Sequence, residues 1–198
     1  MLISRLRDDL CLDFANTLYW RASGNPVEEL HEHADLVGWI ERATIEAAAA
    51  DRDVKRPSAD LDRKSELFVE AIAIREAIFR LFSAVATGRE LPEADFAALG
   101  RALAEAPARE ELARSGDLCG WNIDDPLLTM PQLLAPVLWS AGDLLVDGRR
   151  RRIRRCANEK YLWLFLDESK SGTRRWCQMS ACGNRAKARR HYSKIKGR

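Results

Sequence analysis

The last stretch of the chain constrains its folding more than any other. From Arg149 to Arg198 there are 17 lysines and arginines against three acids, Glu159, Asp167 and Glu168. The same stretch holds Cys156, Cys177 and Cys182, three of the five cysteines. So short and charged a segment can order itself through thiolates on a tetrahedral ion, which replaces a hydrophobic core. The rest of the chain carries 15 bases against 27 acids, so a formal net charge of +2 conceals a tail at +14 and a body at −12. An acidic body with a basic tail points to a polyanionic partner. The plainer reading is a basic surface that aids solubility or docks on the body.

Six arginines run from Arg149 to Arg155, broken by Ile153, and lead into Cys156. This run is expected to extend the preceding helix as a second phosphate-contacting edge. YLWLFLDES, from Tyr161, reads as a strand, Lys170-Ser171-Gly172 as a turn and Thr173 to Cys177 as the return strand. A short loop then reaches Cys182-Gly183-Asn184-Arg185, and AKARRHYSKIK is helix-competent and very basic. Knuckle, hairpin, second knuckle and helix is the order of a treble-clef zinc site, with Cys156, Cys177 and Cys182 as candidate ligands. Arg185, Lys187, Arg189, Arg190 and Lys194 on the helix, with Arg174 and Arg175 before it, are candidates for phosphate neutralisation. Arginines among them also suit guanine edges. Asp167, between the aromatic strand and the arginine pair, is expected to brace the hairpin. Cys11 and Cys119 stand alone in apolar surroundings and read as small buried hydrophobes.

The first 148 residues read as mainly helical. Leu6 to Arg21 has imperfect helical spacing, and residues 28–50 read as an amphipathic helix or a pair. Leu67, Ala71, Ile74, Ile78, Leu81, Phe82 and Val85 mark a long helix over 59–87, with Gly88 as its stop. Residues 92–114 suggest one or two short helices, 117–130 a hairpin, and 132–146 a final helix. Gly148 is the expected boundary between a body (1–148) and a tail (149–198). No apolar run approaches the roughly 18 residues a membrane span needs. Asp8 and Asp9 sit where a signal peptide would be apolar, so the expected compartment is the cytoplasm. Asn16, Arg75 and Trp121 interrupt apolar stretches and are candidates for an effector pocket; the plainer reading is ordinary buried partners and core. There is no P-loop, dinucleotide glycine motif, nucleophile elbow or HExxH, so an enzyme is not expected.

Cys182-Gly183-Asn184-Arg185, with Phe165, Asp167, Arg174-Arg175-Trp176-Cys177 and Ala186-Lys187, resembles the CGNR zinc finger. The body resembles the ABATE family of proposed stress-induced transcription regulators. Leu12-Asp13-Phe14-Ala15-Asn16-Thr17, Asp35-Leu36 with Trp39, Arg75-Glu76-Ala77, and Ser140-Ala141 before Leu144-Leu145 carry that resemblance. Together the two imply a mainly α fold, with a helical sensor domain and a small C-terminal treble-clef-like finger. They imply a bacterial transcription regulator that binds DNA through the finger, takes zinc, and senses a small molecule or stress signal through the body. A homodimer is compatible with this, although no heptad pattern calls for one. The family usually carries a second cysteine five positions after the first; here that position is Tyr161. Glu159, a water, His31 or His33 remain as fourth ligands, and phenolate from Tyr161 would be unusual. His191 is about 13 Å along a continuous helix from Cys182, too far to share an ion. The alternative is a metal-free finger in which Tyr161, Trp163, Phe165 and Trp176 pack a small apolar core, serving as a protein- or RNA-interaction module.

Overall fold

A computed structural model describes residues 2–4, 6–44, 61–123, 129–188 and 192. It is mainly helical with three small sheets. β1 (Leu2–Ile3) leads to α1 (Leu10–Ala15), which is much shorter than the helix expected over Leu6 to Arg21. It stops at Asn16, and the chain turns back to pair β2 (Leu18–Tyr19) with β3 (Val27–Glu28). α2 (His33–Thr44) starts where the Asp35 carboxylate accepts from the His31 and Glu32 N–H groups. Residues 45–60, expected to end one helix and begin the next, lie outside the described set.

The predicted long helix is α3 (Leu61–Thr87), followed by Gly88 at φ +63°, a conformation that favours glycine. α4 (Glu93–Glu105) ends at extended Ala106, whose following proline disfavours helical backbone there. Strands therefore begin earlier than the sequence suggests. β4 (Leu112–Ser115) and β5 (Leu118–Asn122) form a hairpin around Gly116-Asp117, and residues 124–128 lie outside the described set. β1 adds to the other edge of β5. It lies so close that a side chain on Gly120 would meet the Ile3 carbonyl oxygen at 2.4 Å. Cys119 on this hairpin is exposed, contrary to the expectation of burial. Cys119 lies near the turn end of the hairpin, opposite exposed Arg114. Cys11 on α1 is fully buried, and burial pushes its thiol up to about 12.

α5 (Met130–Leu133) and α6 (Ala135–Val146) complete the helical body. α3 packs against α1, α4 and the strands that follow α6. The arginine run does not prolong α6. Asp147 is extended, its carboxylate accepts from the Arg149 N–H at 2.7 Å, and Gly148–Arg152 forms a tight 3-10 turn. β6 (Ile153–Arg155) follows and pairs antiparallel with β7 (Leu164–Leu166). The partner of β7 is thus the segment before Cys156, not residues 173–177. The alternation along β7 explains its two-sided burial. Leu164 and Leu166, with Ile153, join the main core beside α1 and α3, whereas Phe165 packs with the cysteines.

Candidate metal centre and basic finger surface

Cys156 follows β6 and its N–H donates to the Trp163 carbonyl at 2.8 Å, closing the first knuckle. Cys182 lies in the wide helical turn Met179–Gly183, where Gly183 leaves room for Met179 and Trp176 to close over the backbone. Cys156, Cys177 and Cys182 are all buried, and their sulfurs lie within 4.8 Å of one another. The Cys177 and Cys182 sulfurs are 3.7 Å apart. Zinc held tetrahedrally at about 2.3 Å from each sulfur needs sulfurs about 3.8 Å apart. The donor set therefore fits zinc both in softness and in spacing. A hydrogen bond from Cys177 favours the Cys156 thiolate, while that bond and burial push the Cys177 thiol up. Binding an ion would displace the protons the thiols carry.

Among the described residues, no His, Asp or Glu joins the three thiols. Glu159 is exposed, and His191 lies outside the described set. Tyr161 stands instead where a fourth thiolate would, and burial together with the three neighbouring thiols pushes its phenol well above its ordinary range. It is a neutral phenol at this position. Its ring stacks on Trp163 at 5.2 Å and 12°, and lies 4.9 Å from Trp20 of the body. Thiols and aromatics share a single cluster, so metal ligation and aromatic packing are not alternatives in this finger. Burial pushes the Cys182 thiol up, and buried Asn158 lies beside it, its Nδ2 without a hydrogen-bond acceptor among the described residues. Such an N–H donor suits a thiolate that carries a metal.

Residues 152–194 match the CGNR zinc finger, and residues 8–148 match the family described as "putative stress-induced transcription regulator", ABATE. The chain belongs to the ABATE family. A comparison with curated proteins finds no match. Beyond the shared core, the ABATE region and the CGNR finger are joined by hydrogen bonds and aromatic packing. The Asn16 amide donates to the Leu164 carbonyl at 2.8 Å and accepts from the Leu164 N–H at 3.0 Å, so it acts as one more rung on the free edge of β7. Beside it, Tyr19 and Trp20 pack on Tyr161 and Trp163, and the Ala22 N–H donates to the Lys160 carbonyl. Trp20 and Leu162 both have φ near +57°, rare for such side chains, one packed on Tyr161 and the other next to it in the chain.

The three residues considered for an effector pocket do not converge. Both ends of the Asn16 amide are spent on Leu164. Arg75 is 2% exposed; it grips Glu28 with two bonds of 2.6 and 2.8 Å and also reaches Glu76 and Thr17. Trp121 packs in a separate small cluster with Ile3, Ile123 and Trp139.

The finger's cations divide into two groups. Arg174 is exposed but its guanidinium is engaged, bonding the Trp176 and Cys177 carbonyls and lying over the Phe165 ring. Arg149 pairs with Asp8 and Asp147, and Arg152 and Arg154 bond backbone carbonyls of the hairpin. Arg175, Arg185 and Lys187 are exposed. A cleft of about 430 Å³ opens between Lys160, Arg175, Trp176 and Ala186, and Arg185 and Lys187 flank its last residue on the helical turn 184–188. Arg189, Arg190 and Lys194 lie outside the described residues. Lys160 was missed by motif reasoning because it belongs to the knuckle and not to the basic helix.

Asp167 braces the hairpin, as expected from the sequence. It is fully buried, and its carboxylate accepts from the Ser169 N–H at 3.0 Å and the Arg174 N–H at 2.8 Å. Burial alone would raise its pKa; these hydrogen bonds and Arg154 outweigh that and hold it below the ordinary carboxylate range.

Proposed function

We propose that this regulator binds DNA through the CGNR finger, and that the ABATE body senses a small molecule which alters that binding. The observation that carries the reading is the set of exposed cations around the cleft, Lys160 and Arg175 with Arg185 and Lys187 beside it, which outnumber Glu159 on its lining and lie next to a cysteine cluster that fits zinc. These side chains are placed to neutralise phosphates, which gives affinity that falls steeply with salt. The sensing half draws support from the shared packing. Because β7 is bonded to Asn16 and buried among α1 and α3, strain in the body reaches the finger. This is a reading of a binding protein and not of an enzyme. No described helix is long and apolar enough to cross a membrane, and none is needed for this role.

Fluorescence anisotropy with duplex DNA across a salt series tests the proposal. Affinity is expected to fall with rising salt, and Lys160→Ala and Arg175→Ala are each expected to reduce the log–log slope by about one. No binding at low salt, or binding indifferent to both substitutions, would remove the basis for the reading. RNA bound in preference to DNA would favour the interaction-module alternative.

A further inference from the structure

We propose that the cleft between α1, α2 and the finger is a binding site for a free α-amino acid with an apolar or aromatic side chain, held by its two opposite charges. The proposal deepens the sensing half of the function proposed above and rests on it. The cleft measures about 350 Å³, at the small end of ligand pockets, and Arg7, Asp13, Glu29, Trp39, Arg42 and Trp163 line it.

The charges around it are unevenly committed. Arg7 is bonded to Asp13 and paired with Asp9, so its positive charge is already answered and that part of the wall stays net negative. The Asn16 amide, which also reaches the cleft, is consumed by Leu164. Arg42 and Glu29 differ: among the described residues neither the guanidinium nor the carboxylate makes a hydrogen bond or an ion pair. Partial burial and neighbouring Glu28 raise Glu29, and Arg42 acts on it through space in the opposite direction. One unspent cation and one unspent carboxylate thus face the same small volume. Both residues are exposed, and a ligand with a single charge would engage one of them and leave the other to water. A zwitterion answers both, its carboxylate on Arg42 and its ammonium on Glu29.

The walls choose the side chain. Trp39 is held against Phe14 at 5.3 Å, and Trp163 is held against Tyr161. Two indoles fixed from behind offer apolar surface at little cost in side-chain entropy. Trp163 belongs to the finger and the other lining residues to the body, so the bound amino acid touches both, one ring away from the thiol cluster.

The test uses the full chain without DNA, titrated with the twenty amino acids by calorimetry and thermal shift. At least one apolar or aromatic amino acid is expected to bind. Its N-acetyl and carboxamide derivatives, each lacking one charge, are expected to bind about tenfold more weakly, as are Arg42→Gln and Glu29→Gln chains with unchanged circular dichroism. The derivatives carry the test if a variant fails to fold. Absence of binding by any amino acid, derivatives that bind equally well, or variants that bind like the parent chain would each overturn the proposal. DNA affinity is measured separately. An amino acid that binds yet leaves DNA affinity unchanged overturns the sensing reading while upholding the site, and a chain that binds DNA but no amino acid overturns the site while leaving the DNA-binding reading standing.

Discussion

Tyr161 serves two neighbourhoods at once. Its hydroxyl end lies beside three thiols, and its ring bridges Trp163 of the finger to Trp20 of the body. A cysteine there would complete four thiolates and lose the bridge. Tyr161→Cys is therefore expected to tighten zinc binding by an order of magnitude or more, read by competition with a chromophoric chelator. The same change should weaken packing between the two regions, because two aromatic contacts worth about 0.5–1.5 kcal/mol each disappear. Unchanged zinc affinity would mean that position 161 does not face the ion. Asp167 was legible as a brace because an acid flanked by aromatics and arginines has few other uses. Arg174 was not legible: sequence reports its charge, whereas its bonds to the Trp176 and Cys177 carbonyls depend on how the second knuckle curls.

Elements with strong periodicity were readable in advance, and those created by pairing were not. α3 follows from seven apolar residues on one face and a glycine stop. β6 is three residues long, two of them arginines, and it exists because β7 offers an edge next to it. The other edge of β7 is taken by Asn16 at the end of α1, a side chain doing the work of a strand. Asn16→Ala would leave the buried Leu164 N–H and carbonyl without partners, at a cost of about 2–4 kcal/mol. Urea denaturation measures that cost, and hydrogen exchange should show the Leu164 amide losing protection. Wild-type protection at Leu164 in the variant would argue that the clip contributes nothing to β7.

Across the whole molecule, the main core does not stop at Gly148. Ile153, Leu164 and Leu166 are buried with residues of α1, α3 and α6, so the finger supplies part of the floor beneath the body. Heating is expected to give one cooperative transition, and chelation of zinc should lower that single midpoint by roughly 5–10 °C without splitting it. Two resolved transitions, or a midpoint indifferent to chelator, would show that the regions unfold separately.

The sequence by itself determined the mainly helical body, the charge division, the three sulfur ligands and the families to which body and finger belong. Those are properties of local period, composition and spacing, and a chain carries them before it folds. Tertiary structure alone decided which arginines face solvent, which edge β7 offers, what Tyr161 packs against, and that Glu29 and Arg42 share a cleft. Each of these depends on residues far apart in the chain coming within a few ångströms, and no pattern along one segment encodes such a meeting.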